Sequence, residues 1–164
     1  MNQGKYLHQE HDDTFKTDFC IGVAGYPEKH FESPNLKTDF KYLKKKVDLG
    51  ADFIVTQMFY DVQKYIDFVE QCRKNDIHVP IIPGLKPITS SKQLVSLPKL
   101  FHIDVPEALS EAVSSCKSEA EVKEVGIEWM IHQGKELVKI GAPVLHFYTM
   151  SNPGPTKKIA EAIF

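Results

Sequence analysis

Residues 43–61 read LKKKVDLGADFIVTQMFYD, and three signals of secondary structure follow one another within them. Leu43 and Val47 lie one helical turn apart, and Gly50, after Asp48 and Leu49, suits the left-handed residue that stops a helix. Phe53-Ile54-Val55-Thr56-Gln57 then reads as a strand rich in β-branched residues, and Asp61 is placed to cap the next helix. A helix, a strand and a helix joined this tightly are one step of a parallel α/β fold, because parallel strands need helical crossovers between them.

The same alternation extends both ways. Upstream, Phe19-Cys20-Ile21-Gly22-Val23-Ala24 predicts a strand, and the following helix starts near Ser33 or Pro34 with Leu36, Phe40, Leu43 and Val47 as its buried stripe. Downstream, a helix carries Tyr65, Ile66, Phe68, Val69 and Cys72, and Val79-Pro80-Ile81-Ile82-Pro83-Gly84 predicts a third strand. The pattern then turns helical near 90–97, 106–115 and 118–140, the last with Val122, Val125, Trp129, Leu137 and Ile140 on one side and Gly141 as its stop. A final strand, Val144-Leu145-His146-Phe147-Tyr148, leads through Ser151-Asn152-Pro153-Gly154-Pro155 into a closing helix. Residues 1–17 are polar without a period and read as a lead-in loop in which His8 and His11 are solvated, so the domain is 18–164. Strand starts roughly 34 and then roughly 26 residues apart match (β/α)8 repeats, so these four βα units read as the carboxyl-terminal half of a TIM barrel. An open four-stranded sheet is the rival.

Composition narrows the partners. The 164 residues are 42% hydrophobic and 26% charged, enough for one core, and Lys+Arg 20 against Asp+Glu 22 gives net charge −2, with no basic excess for nucleic acid. No apolar run approaches the roughly 18 residues of a membrane span, and the polar start lacks the apolar segment of a signal peptide, so a soluble cytoplasmic protein is expected. Cys20, Cys72 and Cys116 are far apart and odd in number, which fits neither a disulfide framework nor a zinc site and makes them reduced packing residues.

In parallel α/β folds reactive groups collect beyond the carboxyl ends of the strands. Those ends carry Gly25-Tyr26-Pro27-Glu28-Lys29-His30, Thr56-Gln57-Met58-Phe59-Tyr60-Asp61, Pro83-Gly84-Leu85-Lys86-Pro87 and His146-Phe147-Tyr148-Thr149. No Ser-His-Asp arrangement, phosphate-binding glycine loop or metal-spaced carboxylate set stands out, so hydrolysis and metal chemistry lose weight. Phenols, amides and aromatic faces suit a planar heterocycle. On the first helix Asp39, Tyr42 and Lys46 share a stripe, offering a carboxylate for sugar hydroxyls, a phenol and an ammonium for a pyrophosphate, although a solvated helix face gives the same spacing. Gln57 ends its strand with a donor and an acceptor that match the amide edge of a pterin or flavin, and it equally suits capping the adjoining loop. His30 can stack on a ring or sit as ordinary surface. Lys86 can form a Schiff base in an aldolase-like barrel, but nothing in the sequence desolvates it. A half barrel that only binds a nucleotide or self-associates is the non-enzymatic alternative.

The strings VAGYPEKH (23–30), LKKKVDLGADFIVTQMFYD (43–61), VPIIPGLKPI (79–88) and HFYTM (146–150), in this order and spacing, resemble the carboxyl-terminal half of the catalytic barrel of the methylenetetrahydrofolate reductases. The likeness runs from about Lys16 to Phe164. It implies a (β/α)8 barrel that binds FAD and uses NADH or NADPH to reduce 5,10-methylenetetrahydrofolate to 5-methyltetrahydrofolate, in one-carbon and methionine metabolism, as a homo-oligomer in the complete enzyme. By resemblance Tyr26, His30, Asp39, Tyr42, Lys45 and Lys46 are FAD contacts, with Asp39 at a ribose and the lysines toward the pyrophosphate. Gln57 matches a glutamine that meets folate and nicotinamide in turn, and Gln93 matches a folate contact. Leu97 stands where some members carry an aromatic residue, and no arginine follows HFYT, where the chain reads Met150-Ser151-Asn152-Pro153. The family's amino-terminal strands, with the glutamate that acts as general acid, have no counterpart in these residues. The resemblance therefore implies no catalytic residue in this fragment and poor activity from it alone.

Overall fold

The computed structural model describes residues 17–164, so the expected lead-in loop, with His8 and His11, lies almost wholly outside the described residues. In order the elements are β1 (Gly22–Gly25), α1 (Leu36–Asp48), β2 (Phe53–Met58), α2 (Val62–Lys74), β3 (Ile81–Leu85), α3 (Gln93–Phe101), α4 (Glu107–Ser114), α5 (Glu119–Lys139), β4 (His146–Phe147) and α6 (Pro153–Ile163). The strands form one sheet in the order β1-β2-β3-β4 with every pairing parallel. Among the described residues the sheet is open, with β1 and β4 as its edges.

Local chemistry sets the boundaries. The deciding stretch folds as read: Gly50 sits at φ 102 after α1, and the Asp61 side chain accepts from the Gln63 amide at 2.8 Å to start α2. Gly141 ends the long helix in the same way, at φ 86. Ser118 caps α5 while Glu121 reaches back to the Lys117 amide at 2.8 Å, a reciprocal arrangement that satisfies two otherwise free donors.

Four expectations need correction. The cap of α1 is Asn35, not Ser33 or Pro34; its side chain accepts from the Thr38 amide at 2.9 Å. Leu36, in the first turn, is 52% exposed, so the buried stripe narrows to Phe40 and Leu43 with Val47 partly covered. The first strand begins at Gly22 instead of Phe19, because the Ile21 amide is taken by the Asp52 carboxylate at 2.7 Å and the ladder starts at Gly22 against Phe53. Of the three cysteines Cys72 packs in the core and the half-buried Cys116 against it, whereas Cys20 is exposed and is not a packing residue. The core lies between sheet and helices, with Ile54, Met58, Leu85, Met130, Leu137 and Ile159 fully enclosed. Burial of such side chains contributes about 1.5–3 kcal/mol each. On α5 the buried face includes Gly126, Ile127, Met130 and Gln133, while Ile140 is exposed.

Candidate functional site

Asp39 organises the end of β1. Its Oδ2 accepts from the His30 amide at 2.9 Å and its Oδ1 from the Ser33 hydroxyl at 3.0 Å, which folds the β1–α1 loop back onto its own helix. Two turns along α1, Lys46 Nζ donates to the Ala24 carbonyl at 2.8 Å and hooks the helix to the strand. Burial pushes the Lys46 pKa down, and the nearby Asp39 carboxylate works against that shift. The Tyr26 and His30 rings meet edge to face with centroids 4.5 Å apart, and the row continues through Phe31 to His102, stacked at 4.4 Å. Tyr26, His30, Asp39 and Lys46 are thus one cluster. Tyr42 and Lys45 are exposed on α1 and form no side-chain hydrogen bond among the described residues, so the fold does not draw them into it.

Gln57 is half-buried near the end of β2 and accepts from the Met58 amide at 3.0 Å through Oε1, leaving its NH2 group unused. The crevice it shares with Tyr26, Glu28, Phe101 and His102 holds only about 10 Å³. Glu28, not singled out from sequence, closes this crevice: its carboxylate accepts from the Asp104 amide at 3.0 Å and lies 4.0 Å from Lys64. Burial raises the Glu28 pKa, partly offset by the Asp104 hydrogen bond and the Lys64 charge. Its only sequence signal was its place in the YPEKH strand end, and no periodicity shows that the α3–α4 loop folds over it.

The ends of β3 and β4 are knitted together by Tyr148, whose hydroxyl donates to the Thr56 carbonyl at 2.9 Å and whose amide donates to Leu85 at 2.9 Å. Burial raises the Tyr148 pKa, with Tyr26 adding to the shift. Gly84 is obligatory here because a Cβ would lie 2.2 Å from the Thr56 carbonyl oxygen and 2.7 Å from the Tyr148 ring. Gln93 turns its Oε1 onto the Thr89 amide at 2.7 Å. Lys86 corrects an expectation: the fold buries it, and that desolvation lowers its pKa. A larger cavity, about 790 Å³, lies between α2 and α5. Its polar side chains hold the helix in place, with Trp129 donating to the Tyr60 carbonyl and Gln133 to the Phe59 carbonyl, each at 3.0 Å. No three His, Cys, Asp or Glu side chains among the described residues converge on a metal position, and no described helix is long and apolar enough to cross a membrane.

Parallel βα units that gather amides, phenols and one hooked ammonium at their strand ends define an α/β domain whose polar groups lie where open parallel sheets generally take ligands. The chain belongs to the methylenetetrahydrofolate reductase family, whose family model matches residues 5–163. It is 38% identical over 160 residues to methylenetetrahydrofolate reductase 1 of Schizosaccharomyces pombe, covering 97% of this chain and 26% of that one. Against methylenetetrahydrofolate reductase 2 of Saccharomyces cerevisiae it is 40% identical over 151 residues, covering 90% and 24%. Against the 5,10-methylenetetrahydrofolate reductase of Buchnera aphidicola subsp. Schizaphis graminum it is 37% identical over 135 residues, covering 82% and 46%. The chain therefore spans about a quarter of the yeast relatives and under half of the bacterial one. Its fold is similar, at TM-score 0.57 and 21% identity, to an uncharacterized protein from Clostridium thermocellum that binds two copies of 5-methyl-5,6,7,8-tetrahydrofolic acid; the likeness covers 88% of this chain and 52% of that one.

Proposed function

We propose that the chain is the carboxyl-terminal part of the catalytic barrel of a cytoplasmic methylenetetrahydrofolate reductase that binds FAD and reduces 5,10-methylenetetrahydrofolate with NADH or NADPH. The observation that carries this reading is the family match over residues 5–163, whose distinctive strings fall on the four strand ends where the polar groups gather. The open edges of β1 and β4 are consistent with further strands closing the barrel and with a homo-oligomeric complete enzyme.

The residues fit FAD. Lys46 uses one of its three donors on Ala24 and keeps two for a pyrophosphate, and each Asp39 oxygen accepts one hydrogen bond and retains capacity for a ribose hydroxyl. Tyr26 and His30 offer ring edges and faces beside them, while Tyr42 and Lys45 would meet only the part of a dinucleotide that lies along the exposed side of α1. When bound, the flavin supplies hydride transfer. The chain's own side chains bind and orient: Gln57 presents its free NH2 to folate or nicotinamide in turn, and Gln93 lies toward the folate. No residue here is assigned as the proton donor, so the chain alone is expected to be poorly active.

The test is Gln57→Glu in a protein completed with the remaining strands. An ionised carboxylate cannot donate, so flavin reduction by NAD(P)H and reoxidation by methylenetetrahydrofolate should both slow while FAD stays bound. Wild-type rates and affinities in both half-reactions, read by stopped flow, remove Gln57 from the site. Completed protein with neither flavin absorbance nor reductase activity would overturn the proposed function itself.

A further inference from the structure

Lys29 adopts φ 82, in the left-handed region that a residue with a side chain rarely takes. It closes the turn Tyr26-Pro27-Glu28-Lys29, its amide donating to the Tyr26 carbonyl at 3.2 Å, and the last place of such a turn favours glycine. Backbone strain of this kind persists only where the surroundings hold it. Here the residue's own side chain helps to do so. The half-buried Lys29 ammonium reaches along the β1–α1 loop and donates to the His30 carbonyl at 2.9 Å and the Ser33 carbonyl at 2.5 Å.

These are the two residues that Asp39 grips. Asp39 takes the His30 amide and the Ser33 hydroxyl, while Lys29 takes the carbonyl of each. The Ser33 amide donates to the His30 carbonyl at 3.0 Å, so every main-chain donor and acceptor of the pair is committed. An anion on the donors and a cation on the acceptors hold the same two residues, and charge-assisted bonds are the stronger kind. The His30 ring is fixed as well. Its Nδ1 accepts from the Glu32 amide at 3.3 Å, which puts the proton of the neutral imidazole on Nε2, and the ring packs against Tyr26 and Phe31 at centroid distances of 4.5 and 5.0 Å. That Nε2–H has no partner among the described residues.

We propose that Lys29 is a positioning residue of the candidate site: its ammonium and the Asp39 carboxylate together set the β1–α1 loop so that His30 offers its Nε2–H to an acceptor oxygen of a bound ligand. The same two bonds offset the cost of the left-handed backbone at Lys29, which glycine would adopt freely. That the ligand is a flavin nucleotide rests on the function proposed above; the clamp itself does not.

Amide hydrogen exchange on the full chain reads the clamp. Lys29→Met keeps the stem and the backbone conformation but loses the donor, so exchange at His30 and Ser33 should quicken by about fivefold or more, the scale of one lost bond to a charged group. Lys29→Arg keeps a cation with several donors and should restore most of the protection. In protein completed with the remaining strands, Lys29→Met should weaken FAD binding by a similar factor while Tm hardly moves, because the loop adds little to the core. Lys29→Gly, which suits the backbone but lacks the ammonium, should weaken FAD binding as Lys29→Met does. Unchanged exchange in Lys29→Met overturns the proposal. So does FAD affinity that is unchanged in Lys29→Met or falls only in step with Tm, and so does wild-type FAD affinity in Lys29→Gly, which would mean that backbone shape alone sets the loop. Completed wild-type protein that binds no FAD, with His30 and Ser33 still loosened in Lys29→Met, leaves the clamp standing and removes the flavin reading.

Discussion

Removing the Asp39 carboxylate should release the loop that carries Tyr26 and His30. In Asp39→Ala two hydrogen bonds disappear, from the His30 amide at 2.9 Å and the Ser33 hydroxyl at 3.0 Å. Hydrogen bonds to charged groups contribute about 1.5–3 kcal/mol each when buried; this carboxylate is half-buried and its former donors can turn to water, so about 1 kcal/mol each is the appropriate scale. The total, about 2 kcal/mol, acts on local opening of the loop more than on global unfolding, since the loop adds little to the core. A loss of that size corresponds to about a 30-fold fall in amide protection. Hydrogen exchange read at His30 measures it directly. Asp39→Asn keeps one acceptor oxygen and should retain part of the protection. In the completed barrel, Asp39→Ala should also weaken FAD retention by about 3 kcal/mol, near the upper end for unpaired ligand hydroxyls, because the loop falls with the carboxylate. Unchanged exchange at His30 in Asp39→Ala would refute the structural half of this reasoning, and unchanged FAD affinity the functional half.

Three other expectations can be checked on the chain. Glu28 has a raised pKa in the fold, so its contribution is fully present below its unfolded value, near 4.5, and is lost as pH rises through the folded value; thermal unfolding from acid upward should show wild type losing ground to Glu28→Gln over that range, and a constant gap would contradict the burial. Gly126→Ala would put a Cβ 1.7 Å from the Ile88 carbonyl oxygen, a backbone atom that cannot swing aside, so overpacking of about 1–3 kcal/mol should lower Tm by about 3–10 °C, whereas an unshifted Tm would mean that α5 can slide. The two sheet edges should drive self-association with weak FAD binding, and a stable monomer carrying stoichiometric flavin on size-exclusion chromatography would defeat that expectation.

Periodicity and punctuation made the scaffold legible. A helix that must stop and a strand that must start leave local marks, and Gly50, Asp61, Ser118 and Gly141 do in three dimensions what their residue types favour in one. Errors came where a partner distant in sequence decides. Phe19 and Cys20 have strand-like composition, yet the Asp52 side chain claims the next amide and the ladder starts later. Leu36 has the right helical phase, but it sits in the first turn and over half of its surface is left open. Asp39 was legible as a carboxylate on the stripe of Lys46, and its grip on His30 and Ser33 was not, because a loop's return path leaves no period. Lys86 was misread for the same reason: α6 and the turn before it, more than sixty residues on, help to wall in its cavity.

Four of the candidate site residues share one property that bears on what they can do. Asp39, Lys46, Gln57 and Gln93 each use part of their hydrogen-bonding capacity on the chain's own backbone and keep part unused. The internal bond fixes the rotamer before any ligand arrives, so less side-chain entropy remains to be lost on binding, and the unused donor or acceptor is already aimed. A residue serving only the scaffold shows a different pattern, as Tyr148 does in giving its one hydroxyl proton to Thr56 and Trp129 its one N–H to Tyr60. Lys86 lies at the opposite extreme, buried with its whole donor capacity unused and nothing from the described chain to fix it. In the cluster around Asp39 the two unused Lys46 donors are placed to answer the charge of a ligand, and the remaining capacity of the Asp39 oxygens its hydroxyls.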